Sequence, residues 1–149
     1  MNQELFKWNQ LVKQQDGIYH RCARACGLPD AQFWVLYALC ETPEPLCQNS
    51  FCDSWCYSKQ TINTAVAALE KRGLITLTFA PGSRKQKDVS LTEEGEVFCR
   101  THIRTVQSIE EKVLGNVPKE EKKAFFRTFA QLMEGLEQEL DEEGRHHAQ

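Results

Sequence analysis

A change of period at Gly73 constrains the fold of this chain more than any other feature. Before it, SKQTINTAVAALEKRG (58–73) reads as a helix at about 100° per residue. Ile62, Ala65, Val66 and Leu69 fall on one side of that helix, and Gln60, Asn63, Thr64, Ala67 and Lys71 on the other. Ser58 is a good N-cap and Gly73 a good stop, so the spacing predicts a helix over about 59–72. After Gly73 the apolar repeat shortens from about 3.6 residues to about 2. LITLTF (74–79) alternates and is rich in β-branched residues, APGSRKQ (80–86) holds a Pro-Gly turn, and KDVSL (87–91) is a second short strand. An amphipathic helix that runs straight into a charged hairpin is the central expectation.

The flanks read as helices. Residues 3–26 carry a broken helical stripe from Leu5 to Cys26 with no proline, ended by Gly27. Asp30 is expected to cap a helix through about Cys40 that buries Phe33, Val35, Leu36 and Leu39. ETPEP (41–45) breaks it, because prolines do not fit a helix interior. A short helix over about 48–55 follows, with Cys47 at its N-cap position and Cys56-Tyr57 in the turn after it. Thr92 caps a helix expected over 93–115, and Pro118 opens a last helix to about Leu140 with Phe125, Phe129, Leu132, Met133 and Leu136 on one stripe. The tail from about 144 is expected to be flexible. The fold class is therefore mainly α with a small β-hairpin.

Phe51, Cys52 and Trp55 of the short helix can pack on the Ile62/Val66 side of the next one, which makes a helix–turn–helix. In that motif the second helix enters the DNA major groove. Its outer face is suited to the task. Gln60 and Asn63 have amides that pair with base edges, Thr61 and Thr64 have hydroxyls, and the Ser58-capped N-terminus with Lys59 suits a phosphate. The hairpin tip carries Arg84, Lys85 and Lys87, basic groups for phosphates or a narrow minor groove. Net charge is −3, but residues 57–90 hold six basic and two acidic side chains, a local +4 in an acidic molecule.

These pieces together resemble the MarR family of bacterial winged helix-turn-helix regulators. The resemblance rests on QFWVLYAL (32–39), YSKQTINTAVAALEKRGLI (57–75) and SRKQKDVSLTEEGE (83–96), in order and at the right spacing over nearly the whole chain. It implies a winged helix-turn-helix over 30–91, helical dimerisation segments over 1–27 and 92–143, and a homodimer on palindromic operator DNA, usually a repressor released by a small-molecule effector, a metal or an oxidant. By position it makes Ser58 the recognition-helix cap and gives Gln60, Thr61, Asn63 and Thr64 the base- and phosphate-facing places. The wing departs from the family, which commonly has Asp-x-Arg where this chain has Ser83-Arg84-Lys85, so the bracing Asp–Arg pair is missing.

A last helix of 118–140 would be about 35 Å long, against a radius of gyration of about 12–13 Å for a winged-helix core. Its stripe needs cover, and a second chain supplies it better than an intramolecular bundle. Seven cysteines, an odd number, and a polar start, MNQELFKW, point to a cytoplasmic protein with free thiols rather than a secreted disulfide framework. No membrane partner is expected. Cys47, Cys52 and Cys56 look like a ligand cluster but separate once placed on the motif, and only Cys56 retains the character of a reactive turn thiol. His20, Cys22 and Cys26 on the first helix could meet Cys99 and His102 to hold zinc, but the histidine pair of the zinc-sensing relatives is absent, and no metal or cofactor is assigned. No cysteine precedes Cys22, where the peroxide-sensing relatives carry theirs. Nothing arranges a nucleophile, base and orienting group, so an enzyme is not expected. The alternatives to a DNA-binding regulator are a winged-helix protein-interaction module without DNA binding and a metal- or thiol-responsive variant of the same family.

Overall fold

The structure, a computed structural model, describes residues 2–51 and 57–147, with side chains through Arg145. It is mostly helical with one small antiparallel sheet. The elements are α1 (Gln3–Ala25), α2 (Asp30–Glu41), β1 (Leu46–Cys47), α3 (Lys59–Lys71), β2 (Ile75–Phe79), β3 (Lys87–Leu91), α4 (Glu93–Thr101), α5 (Ile103–Gly115) and α6 (Lys119–His147). The chain forms two compact units, one up to residue 107 and one from residue 108 on. Among the described residues no helix is long and apolar enough to cross a membrane.

The first unit is built around α2. Phe33, Val35, Leu36, Ala38 and Leu39 are all buried, so this helix is apolar on most of its circumference. It packs against α1, α3 and α4 and against β3. Asp30 is not the cap. Pro29 holds that position without a side-chain bond, and Asp30 is the first helical residue. Its carboxylate instead accepts from His20 Nδ1 of α1 at 2.9 and 3.0 Å. Both α1 and α3 end in the same way. Leu28 N–H donates to Ala23 O and Gly27 N–H to Arg24 O; Leu74 N–H donates to Leu69 O and Gly73 N–H to Glu70 O. These are Schellman closures, with Gly27 at φ 67° and Gly73 at φ 72°, a region costly for any residue with a Cβ.

The sheet has three strands in the order β1-β3-β2, one more than the hairpin expected from sequence. Leu46 pairs with Val89 and Cys47 with Asp88, while Leu77 pairs with Val89 from the other side. Val89 is thereby fully buried. Cys47 lies in a strand rather than at a helix N-cap, because its partner is far along the chain and local pattern does not reveal it. Helix resumes at Ser50 and Phe51, and Phe51 is 1% exposed. The rest of the expected short helix, with Cys52, Trp55 and Cys56, lies outside the described residues.

The hairpin joins α4 tightly. Thr92 caps α4 by accepting from Gly95 N–H at 3.0 Å, and its hydroxyl donates to Gly73 O at 2.5 Å. Gly95 sits so close to the start of the wing that an added Cβ would lie 1.9 Å from Leu74 O. The helix expected over 93–115 is broken once, at His102 (φ −110°, ψ −56°). Gly95, Cys99 and Ile103 are buried at i+4 spacing across the break, and an unbroken stripe in the sequence conceals it. In the second unit α6 runs 29 residues, about 44 Å, well past Leu140 and four residues into the expected flexible tail.

Candidate nucleic-acid interface

The apolar side of α3 is the one the sequence indicates: Ile62, Ala65, Val66 and Leu69 are buried. Docking that side on α2 turns Lys59, Gln60, Thr61, Asn63 and Thr64 outward, all exposed. Ser58 Oγ accepts from Thr61 N–H at 3.1 Å and lies 2.8 Å from the Thr61 hydroxyl. One hydroxyl thus satisfies an orphan amide at the helix start and orients its neighbour. The Thr64 hydroxyl donates to Gln60 O at 3.0 Å, which leaves its methyl and lone pairs at the surface.

The exposed face of α3 is a ridge between two concavities. On the wing side Lys59 and Asn63 share a cavity of about 470 Å³ with Lys85, Lys87, Ser83 and Gln86, and with Cys47, Gln48 and Asn49 from β1 and the residues after it. Among the described residues no acidic side chain lines it, and three ammonium groups face one solvent-open space. Gln48 Nε2 donates to Asn63 Oδ1 at 2.8 Å, fixing the amide expected to read bases. On the other side Gln60, Thr61 and Thr64 line a cavity of about 380 Å³ with Pro29, Ala31, Gln32 and Ala65. The residues expected at the interface therefore divide. Lys59, Asn63, Lys85 and Lys87 come together on one flank, Gln60, Thr61 and Thr64 on the other, and Ser58 stands at the end of the ridge.

Arg84 is exposed at the wing tip and lines neither cavity. The tip closes through Ser83, whose hydroxyl accepts from Gln86 N–H at 2.8 Å and Lys85 N–H at 3.2 Å. Gly82 supplies the positive φ of 75°. The side chain at the place of the missing aspartate thus performs part of its work, tying the loop through its own backbone. Lys87 is steadied from behind by the Phe79 ring, 5.9 Å from the centroid. Gln86 Nε2 donates to Cys47 Sγ at 2.8 Å, which links wing to β1.

Gln48, Asn49, Gln86 and Gln32 belong to this surface and were not singled out from the sequence. The only available signal for the first two was Leu46 after Pro45, a two-residue apolar segment too short to read as a strand. The groups considered for zinc do not gather. Among the described residues no three His, Cys, Asp or Glu side chains converge as metal ligands. His20 is bound to Asp30, the His102 ring lies 4.6 Å from that of Phe98, and the Cys26 thiol is pushed up by burial and by neighbouring Cys22.

Residues 27–86 match the model of the MarR family. The transcriptional regulator HosA of Escherichia coli O111:H- is 28% identical over 109 residues, covering 71% of this chain and 80% of HosA. Among solved structures, NMB1585, a MarR family regulator from Neisseria meningitidis, superposes with a TM-score of 0.81 at 23% identity, covering 95% of this chain and 99% of that one. Sco3205 of Streptomyces coelicolor, a MarR family regulator in complex with DNA, gives 0.70 at 21% identity over 91% and 89% of the two chains. CouR of Rhodococcus jostii RHA1, bound to p-coumaroyl-CoA, gives 0.72 at 21% identity over 88% and 92%. Residues 27–86 thus match the MarR family, and the chain has the winged helix-turn-helix fold of the MarR family regulators it resembles.

Proposed function

We propose that this protein is a homodimeric, sequence-specific DNA-binding regulator that acts as a ligand-responsive repressor on a palindromic operator. The observation that carries the proposal is the flank of α3, where Lys59, Lys85 and Lys87 surround the amides of Asn63 and Gln48 in one concavity. Lysines at the rim neutralise phosphates and position the protein, while amides and hydroxyls on the ridge read base edges. Ser58, Gln60, Thr61 and Thr64 complete the ridge, and Arg84 reaches outward from the wing tip toward the minor groove. DNA bound to Sco3205 and p-coumaroyl-CoA bound to CouR, both of this fold, support a DNA-binding and ligand-responsive role.

Dimerisation through residues 1–27 and 92–143 follows from apolar surface. In the first unit α1 exposes Leu5, Phe6, Leu11 and Ile18; in the second unit Val113, Leu114, Phe125, Phe126, Leu132, Leu136 and Leu140 are exposed. A second copy covers both sets and brings two recognition helices to successive major grooves, about 34–36 Å apart.

The test is a gel-shift series with fragments upstream of its own gene. Affinity is expected to fall steeply with salt, and Asn63→Ala or Thr64→Ala to relax sequence preference. Binding indifferent to salt and sequence would instead favour a protein-interaction module.

A further inference from the structure

Gln48 joins the sheet to α3. Its backbone N–H donates to Lys87 O of β3 at 3.0 Å, so the sheet fixes the root of its side chain. That side chain, half-buried, reaches across to α3, where Nε2 donates to Asn63 Oδ1 at 2.8 Å. Asn63 itself is exposed, in the concavity it shares with Lys59, Lys85 and Lys87. A primary amide has one oxygen that accepts and one nitrogen that donates twice. With Oδ1 directed at Gln48, the Nδ2 hydrogens are the groups left for a partner in the groove. The base edges of the major groove differ in just this respect. Guanine presents two adjacent acceptors, O6 and N7, and adenine an acceptor beside an amino donor. Thymine presents one acceptor, and cytosine one amino donor. Asparagine pairs with adenine through both ends of its amide, accepting from the amino group and donating to N7. That pairing needs the oxygen that Gln48 holds.

We infer that Gln48 sets the base preference of Asn63, making it a hydrogen-bond donor that selects guanine over adenine. The inference rests on the DNA-binding reading above and names the base that this part of the surface takes. Guanine offers both of its acceptors to the Nδ2 group. Adenine sets its amino group against Nδ2, donor facing donor, and cytosine has no acceptor to offer. Gln48 is thus a positioning residue that acts through Asn63. The lysines around the pair supply charge without distinguishing one base from another.

The test is selection from a randomised duplex DNA library with the full-length protein, followed by sequencing of the bound fraction. The position read by Asn63 is the one whose preference disappears in Asn63→Ala. There the wild-type protein should enrich guanine over adenine about tenfold, within the range of a single good base contact. Gln48→Leu, similar in size but without a donor, frees Oδ1 and should move the preference to adenine. Gln48→Glu offers only acceptors, so the Asn63 amide turns Nδ2 toward the carboxylate and Oδ1 toward the groove. It should favour adenine or cytosine, whose amino groups donate, whatever the added charge does to total affinity. Gln48→Leu combined with Asn63→Ala should show the preferences of Asn63→Ala alone, and circular dichroism should be the same for all of these proteins. A Gln48→Leu protein that enriches the wild-type base overturns the inference and leaves the DNA-binding reading standing. So does adenine at that position in the wild type, or an Asn63→Ala protein with every preference unchanged. A wild-type protein that enriches no sequence overturns both.

Discussion

The two units of this chain handle apolar periodicity in opposite ways. In the first, α3 repeats Ile62, Ala65, Val66 and Leu69, and each is buried within the unit. In the second, α6 repeats Phe125, Phe129, Leu132, Leu136 and Leu140 at the same kind of spacing, and no described residue from 108 on is buried. Among the described residues every buried hydrophobic, from Ala23 to Ile103, belongs to the first unit. Spacing therefore tells which face of a helix wants cover, and only the rest of the fold tells whether the same unit provides it. For α3 the cover is α2; for α6 it is a second chain, on the proposal made above.

The sharpest way to break this contrast is to charge the stripe on α6. Leu132→Glu with Leu136→Glu should leave the first unit folded and the protein monomeric, because each lost burial costs about 1.5–3 kcal/mol and the pair about twice that. Sedimentation velocity at micromolar concentration reads the outcome, and an intact dimer would place the stripe outside the interface. Leu69→Ala makes the opposite cut. It opens a cavity in the first unit and should cost about 2–5 kcal/mol in urea unfolding, with the association state kept wherever the protein remains folded. Ser58→Ala removes the cap of α3 and should destabilise by about 1 kcal/mol while weakening DNA binding, since the start of the ridge frays. The smallest effect on stability, under about 0.5 kcal/mol, is expected for Lys85→Ala or Lys87→Ala at the surface. Each should nevertheless lower the slope of log affinity against log salt by about one unit. A slope unchanged in both would remove the wing-side groove from the DNA contact.

Much of the first unit is legible from sequence because its information is local. Ser58, the α3 stripe, Gly73 and the alternation in LITLTF act within a few residues of one another, and capping, burial period and strand pleat all agree. β1 was not legible. Leu46-Cys47 has no pattern of its own and becomes a strand only when β3 presents Val89 and Asp88 to it. With it went Gln48 and Asn49, and hence the support of Asn63. The cysteines teach the same point from the other side. CQNSFCDSWC draws attention because its thiols are close in sequence, and Cys47 of that group is engaged with Gln86 in the sheet. That partner lies 39 positions along the chain, which the spacing of the cysteines does not indicate.

By itself, then, the sequence determined most of the helical segments, the hairpin, the apolar face of α3 and the identity of the polar side chains opposite it. These follow from hydrogen bonding within a segment and from its solvent preference, both of which are short-range. Tertiary structure decided which of those polar side chains share a groove, how Ser83 ties the wing loop, and that Leu46-Cys47 becomes a strand. Such outcomes depend on contacts closed across many residues, whose entropic cost is met only once the core around α2 has formed.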